Sequence, residues 1–121
     1  LLFNNTASTK VWVIGFSFGA FISLNLLMRR PEIQGFIAIS PPADKYDFSF
    51  LAPCPVSGLI IQGDNDDIVN ETDVALFANK LDSQKAITVK YKKIKNADHF
   101  FTDKLTLVSD EVRKYVQKNP D

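Results

Sequence analysis

A single serine stands between two glycines where an apolar segment gives way to a helical pattern. The stretch reads VWVI at 11–14, followed by GFSFG at 15–19, so that Ser17 lies at the junction. G-x-S-x-G between a strand and a helix is typical of a tight turn that exposes a nucleophilic serine. The alternative interpretation is an ordinary turn whose serine caps the helix.

The residues around Ser17 have expected roles in such a turn. We expect glycine at Gly15 and Gly19 because side chains there would collide with the neighbouring strand and helix. The backbone N–H of Phe18, at the start of the helix, is expected to point to where an oxyanion would develop.

A nucleophilic serine needs a base, and the base needs a group that orients it. His99 is the only histidine of the chain, and it follows a predicted strand in the segment NADHFF at 96–101. A lone histidine is more often structural than catalytic. Its loop setting and its position after the serine in the chain favour catalysis here.

The orienting carboxylate should lie between Ser17 and His99, after a strand. The segment QGDNDDIV at 62–69 offers Asp64, Asp66 and Asp67, and the pattern alone leaves all three open, together with a plain solvated turn. A calcium-binding loop would need Asp or Asn, then Gly, where Ile68 and Val69 stand. It would also need Glu where Ala75 stands, so we expect no metal ion.

Strands alternate with helices along the chain, which predicts an α/β fold with a mostly parallel four-stranded sheet. The predicted strands are 11–15, 35–40, 56–62 and 87–91, and the predicted helices are 18–30, 70–81 and 105–116. The first three strands are continuous apolar runs, so we expect helices on both faces of the sheet. The length suits one domain, 1–121.

Composition excludes several classes of function. The 14 basic and 14 acidic side chains balance, which argues against a nucleic-acid or membrane partner, and no apolar run approaches the roughly 20 residues that span a bilayer. The lysine cluster at 90–95 is interpreted as the solvated end of a strand. One cysteine, Cys54, fits a reducing, cytoplasmic compartment and is expected to be a buried apolar residue rather than a rival nucleophile.

The chain resembles the C-terminal half of a dienelactone-hydrolase-like α/β-hydrolase. The stretches GFSFGA, AISPPADKYDFSFLAPCP, LIIQGDNDDIV and ADHFF carry the resemblance, which covers most of the chain from Val11 onward. In that family the acid is the aspartate of G-x-x-D-x-x-V, and Gly63, Asp66 and Val69 match it. The resemblance therefore implies Asp66 as orienter, Ser17 as nucleophile and His99 as base, with no cofactor.

Family members carry further strands before this turn, and the loop after one of them donates a second oxyanion N–H. Only ten residues precede the first predicted strand here, so we expect a partial α/β-hydrolase fold without those N-terminal strands and with weak turnover. The strand at Val11–Ile14 would then be an open apolar edge. A homodimer pairing these edges and burying Trp12, or a separate N-terminal half, would cover it. The alternative is a monomer whose first ten residues fold back.

Two functions follow from these patterns. The first is a serine hydrolase of a small ester, thioester or amide that works through an acyl-enzyme. The second is a non-catalytic or weakly active fragment that serves in assembly or interaction. The substrate-binding residues are unknown, although Phe48, Phe50 and Leu51 between the second and third strands are expected to be core or, less favoured, to line a small pocket.

Overall fold

The computed structural model describes residues 2–4 and 10–119, in which five strands form one sheet. The strands are β1 (Leu2–Asn4), β2 (Val11–Phe16), β3 (Ile33–Ile39), β4 (Gly58–Gly63) and β5 (Val89–Ile94), and they lie side by side in that order. The pairs from β2 to β5 are parallel, whereas β1 pairs antiparallel with β2.

The central strands are apolar at nearly every position, not at alternate ones, so side chains on both faces of the sheet are buried. Successive residues therefore enter different cores. Val13 and Ile60 belong to the core on one face, and Trp12 and Ile61 belong to the core on the other. Helices on both faces, as expected from the sequence, are confirmed.

Three helices supply this cover, namely α1 (Phe18–Leu27), α2 (Glu71–Asp82) and α3 (Leu105–Lys118). Leu24 of α1 and Val74 of α2 pack in the first core, and Val108 of α3 packs in the second. The N-terminus of α2 is capped by the Asn70 side chain, which accepts a hydrogen bond from the Thr72 N–H. Helices α1 and α2, which connect parallel strands, therefore cover one face of the sheet. Helix α3, which follows β5, covers the other.

The observed elements differ from the predicted ones mainly at their ends. Helix α1 ends at Leu27, before the two arginines, and β5 continues through Lys92 and Lys93 to Ile94. Strand β5 lies at the edge of the described sheet, and Lys90 and Lys93 within it are exposed. The lysine cluster was therefore correctly placed in solvent, but it belongs to the body of the strand.

The edge of β2 is not open, contrary to the expectation from the sequence. Strand β1 pairs with it, and Leu2 lies opposite Val13 in the register. Trp12 is fully buried within the chain, with its ring edge-to-face against Tyr115 of α3 at a centroid distance of 5.5 Å. Residues 5–9, which the folded-back alternative also involves, lie outside the described residues. A homodimer and a separate N-terminal half stay predictions, but the burial of Trp12 requires neither.

The connection between β3 and β4 packs as core. Phe48 and Leu51 are buried in the first core, Phe50 packs against it, and Cys54 is buried beside them, as expected. Phe48 and Leu51 also line a cavity of about 280 Å³ between this connection and α2. The residues that line the cavity include none of Ser17, Asp66 and His99.

Two features of residues 2–4 and 10–119 bear on the classes of protein considered above. No helix there is long and apolar enough to cross a membrane. Likewise, within ranges 2–4 and 10–119, no group of three or more His, Cys, Asp and Glu side chains is arranged to hold a metal ion.

The burial of Trp12 predicts its fluorescence. Because α3 covers the ring within one chain, we expect a blue-shifted emission maximum that stays the same on dilution through the micromolar range. Tyr115→Ala should shift the maximum to the red and lower the free energy of unfolding by about 3 kcal/mol, since it opens a cavity beside the ring. An emission that turns red when the wild-type protein is diluted would show that a second chain buries Trp12.

Candidate active site

Ser17 lies in a strained turn between β2 and α1. Its φ of 56° and ψ of −125° are unusual for a residue with a side chain, and such strain costs on the order of 1–3 kcal/mol. The Ser17 N–H donates to the carbonyl of Ile39 at 2.8 Å, which fixes the turn against the end of β3. The Ser17 hydroxyl makes no cap hydrogen bond to α1. The interpretation of Ser17 as a capping serine is therefore wrong.

The two glycines of the turn are not equivalent. A Cβ at Gly15 would lie 2.4 Å from the Gly19 carbonyl oxygen and 2.5 Å from the Ser23 hydroxyl, so only glycine fits there. A Cβ at Gly19, within α1, would meet no described atom within 4 Å apart from the neighbouring residues and backbone of its own helix. The expected collision is thus present at Gly15 and wrong for Gly19, whose Cβ position faces no neighbouring strand.

His99 connects the serine to a carboxylate. Its Nε2 lies 2.9 Å from Ser17 Oγ, and its Nδ1 lies 2.7 Å from Asp66 Oδ2. The His99 side chain is 3% exposed and that of Asp66 is fully buried. This geometry sets a tautomer, since a proton on Nδ1 can be donated to Asp66 and leaves Nε2 free to accept from the Ser17 hydroxyl.

The Asp66 carboxylate is hydrogen-bonded at both oxygens. Oδ1 accepts from the backbone N–H groups of Ile68 and Val69, each at 2.8 Å, and Oδ2 accepts from the Gln62 amide at 2.9 Å as well as contacting His99. Burial by itself would raise the pKa of Asp66. The hydrogen bonds from Val69, His99, Gln62 and Ile68 outweigh it, so the pKa lies below its ordinary value.

The sequence alone left three aspartates open, and the structure separates them. Asp66 contacts His99, as the match to G-x-x-D-x-x-V implied. Asp64 is exposed, and its carboxylate accepts from the backbone N–H of Asn96 at 2.7 Å, so it supports the segment that carries the histidine. Asp67 is exposed on the turn.

A close approach at Gly63 and a hydrogen bond from Ser40 hold the histidine segment against the ends of β4 and β3. A Cβ at Gly63 would lie 2.3 Å from the Ala97 carbonyl oxygen, so the absence of a side chain lets this segment approach β4. The Ser40 hydroxyl, at the end of β3, donates to the His99 carbonyl at 3.1 Å. Ser40 is fully buried with a φ of 51°, a second strained serine at this edge of the sheet. His99 is therefore positioned from both β3 and β4.

Phenylalanines surround the serine and the histidine on the solvent side. Phe16, Phe18 and Phe100 are 41%, 50% and 59% exposed, and the rings of Phe16 and Phe100 lie 5.3 Å and 5.0 Å from the His99 ring between centroids. Phe18 begins α1, so its backbone N–H has no acceptor within the helix and is available to a ligand beside Ser17. The mouth of the site is apolar.

The sequence reasoning missed Gln62 and Ser40 as parts of this site. Gln62 is a buried polar residue at the end of the otherwise apolar strand segment GLII, directly before Gly63. A polar residue in a buried strand needs a partner, and this signal was present in the sequence. The sequence carried no comparable signal for Ser40, because its role depends on the distant carbonyl of His99.

The parallel sheet, the strained serine turn and the Ser17–His99–Asp66 contacts at the carboxyl ends of the strands define the class of fold as a partial α/β-hydrolase. Residues 2–118 match the dienelactone hydrolase family. The chain belongs to the dienelactone hydrolase family, a family of hydrolases.

Individual relatives agree with this assignment. An uncharacterised protein from Rickettsia prowazekii is 50% identical over 117 residues, which cover 93% of this chain and 49% of that protein. A protein of unknown function from Agrobacterium tumefaciens, provisionally described as an α/β-hydrolase, has a crystal structure that superposes with a TM-score of 0.86 at 50% identity. That match covers 88% of this chain and 49% of the other.

A third relative, from Xanthomonas campestris, is described as an α/β serine hydrolase without a lid. It superposes with a TM-score of 0.76 at 34% identity, over 88% of this chain and 46% of its own. The chain thus spans about half the length of the relatives that it matches.

The glycine geometry predicts contrasting effects of alanine on stability. Gly15→Ala and Gly63→Ala should each lower the free energy of unfolding by about 1–3 kcal/mol, because the added methyl group meets a backbone carbonyl. Gly19→Ala, in the same motif, should leave it unchanged or raise it by up to about 1 kcal/mol, through helix propensity. Urea denaturation measures all three. Equal destabilisation by Gly15→Ala and Gly19→Ala would contradict the asymmetry.

The lowered pKa of Asp66 predicts a dependence of stability on acid. The ionised carboxylate stabilises the folded state above the unfolded pKa of about 3.9, and this contribution is lost as pH falls through the lower folded pKa. Asp66→Asn should therefore be less stable than wild type at neutral pH, with the difference shrinking below about pH 4. Asp67→Asn, at the exposed neighbour, should keep the wild-type acid profile. If the free energies of unfolding of wild type and Asp66→Asn changed with pH in the same way, the lowered pKa of Asp66 would be contradicted.

Proposed function

We propose that this chain carries the catalytic centre of a serine hydrolase that cleaves a small ester, thioester or amide through an acyl-enzyme. The observation that supports the proposal is the continuous hydrogen-bonded series from Ser17 Oγ through His99 to Asp66, with separations of 2.9 Å and 2.7 Å. Such a series activates a serine that is otherwise a weak nucleophile.

In the acylation step, Ser17 Oγ attacks the substrate carbonyl carbon while its proton passes to His99 Nε2. The carbonyl oxygen becomes an oxyanion, which accepts a hydrogen bond from the Phe18 N–H at the start of α1. The tetrahedral intermediate collapses when the bond to the leaving group breaks and that group takes the proton from Nε2. Asp66 keeps the Nδ1 proton in place and stabilises the imidazolium, without itself taking up a proton.

In the deacylation step, a water molecule repeats the same chemistry. His99 Nε2 accepts its proton while the oxygen attacks the acyl carbon, and the proton then returns to Ser17 Oγ as the acid product leaves. The lowered pKa of Asp66 supports this role, because the carboxylate stays ionised at neutral pH. The description of the Xanthomonas campestris relative as a serine hydrolase agrees with the proposed nucleophile.

The apolar mouth of the site favours a substrate with an apolar group next to the scissile carbonyl. Phe16, Phe18 and Phe100 would contact that group. The same exposed rings support the second candidate, an interaction module with little or no turnover, because a partner could cover them. The described residues supply one expected oxyanion donor, the Phe18 N–H. Loss of one such donor typically lowers kcat by about 10²–10³, which would account for little or no turnover.

A fluorophosphonate probe distinguishes the two candidates. We expect one covalent adduct per chain, on Ser17, because among the hydroxyls of residues 10–119 that of Ser17 is the one within hydrogen-bond distance of His99 Nε2. Ser17→Ala should abolish labelling, whereas Ser109→Ala, at an exposed serine of α3, should label as wild type does. Mass spectrometry of the adduct gives both the stoichiometry and the site.

Two results would count against the hydrolase. Labelling that survives Ser17→Ala would place the nucleophile elsewhere. A folded wild-type chain that does not label would favour the interaction module.

A further inference from the structure

A buried glutamine contacts the acid of the site. Gln62, the fifth residue of β4, is fully buried, and its Nε2 donates to Asp66 Oδ2 at 2.9 Å and to the Gly63 carbonyl at 3.0 Å. Its Oε1 is buried without a hydrogen-bond partner in the described part of the chain. An ionised carboxylate can only accept, so the amide must present its NH₂ group to Asp66. The opposite orientation would bring two oxygens together at 2.9 Å.

The contact falls on the oxygen that serves the histidine. Asp66 Oδ2 receives both the Gln62 amide and His99 Nδ1, while Oδ1 is held by two backbone N–H groups. The carboxylate therefore cannot rotate without breaking a hydrogen bond to Gln62. The hydrogen bond from the amide also stabilises the negative charge on Oδ2, so Oδ2 is a weaker acceptor for the Nδ1 proton of His99.

We propose that Gln62 is a positioning residue, which fixes the Asp66 carboxylate and limits how strongly it holds the Nδ1 proton of His99. The inference rests on the proposed function for its catalytic meaning, but the contact itself can be tested without turnover. A packing role alone explains it poorly. An apolar side chain of the same size would fill the strand without burying an unpartnered oxygen, which is unfavourable.

The chain offers a clean spectroscopic readout, because His99 is its only histidine. In ¹⁵N-labelled protein, every imidazole signal belongs to this residue. We expect the wild type to show a slowly exchanging Nδ1 proton, because His99 Nδ1 is buried against Asp66 Oδ2. This measurement reports the Gln62–Asp66–His99 series whether or not the serine reacts.

Gln62→Met removes the donor and keeps the approximate volume. We expect the Nδ1 proton signal to move downfield, because Asp66 then concentrates more charge on His99. For the same reason, the fall in the labelling rate on the acid side of its pH profile should occur at higher pH. The labelling rate near pH 7 should fall on the order of tenfold, which is the size of effect seen when a hydrogen bond that orients a functional side chain is lost. The thermal unfolding midpoint should fall only modestly, because removal of the unpartnered Oε1 offsets part of the lost hydrogen bond to Asp66.

Gln84→Met is the matched control. The Gln84 amide likewise makes two hydrogen bonds, accepting from the Cys54 N–H at 2.8 Å and donating to the Leu51 carbonyl at 3.0 Å, and neither involves Asp66. Its loss should leave the His99 signals and the pH profile unchanged. A histidine signal that responds equally to both substitutions would overturn the proposal, since it would reflect general loosening.

Gln62→Glu separates donation from packing, and it decides the question if Gln62→Met does not fold. The introduced carboxyl has the shape of the glutamine but donates only when protonated. We expect altered His99 signals while it is ionised, and a return toward the wild-type signals when it takes up a proton. The proposal is overturned if either variant shows wild-type signals and a wild-type pH profile throughout. Absence of labelling in the wild type would reject the hydrolase and leave the test of the contact intact.

Discussion

The buried carboxylate of Asp66 ties together the end of β4, the turn that follows it and the only histidine of the chain. An ionised group without solvent must be hydrogen-bonded from every side, and four donors meet that need here. Each donor comes from a different residue, so the turn, the strand and the histidine segment are held in one arrangement. The imidazole of His99, which contacts Ser17 Oγ through Nε2, is oriented by this carboxylate through Nδ1.

The carboxyl ends of parallel strands bring the rest of the site to the same edge. Ser17 follows β2, Asp66 follows β4 and His99 follows β5, and the strands between them set the spacing. Close backbone approaches complete the arrangement, at Gly15 beneath the serine turn and at Gly63 beneath the histidine segment. Positive φ values at Ser17 and Ser40 store strain at the same edge. The packed sheet and its two cores supply the stability that offsets this strain.

The exposed surface of the site contrasts with its interior. The contacts among Gln62, Asp66 and His99 are polar and buried, whereas the rings of Phe16 and Phe100 beside His99, and that of Phe18 next to Ser17 in the chain, are exposed. An apolar mouth over a polar base suits a neutral substrate, because it would exclude water from the oxyanion without adding charge. The same apolar mouth also suits contact with a protein partner. The chain spans about half the length of its relatives. The polar interior is what distinguishes a hydrolase from a simple docking face.

The sequence by itself predicted the order of elements from β2 to α3, the two-sided cover of the sheet, and Ser17 and His99 as residues that follow strands. These features are local, because apolar runs, capping residues and the serine turn can be read along the chain. The residue pattern did not separate Asp66 from Asp64 and Asp67, and only the resemblance to the family favoured Asp66. Only the tertiary structure decided the pairing of β1 with β2, the burial of Trp12 by α3, the different needs of Gly15 and Gly19, and the contacts of Gln62 and Ser40. Each of these depends on atoms brought together from distant segments, and a pattern of residue types cannot fix how closely two such segments approach.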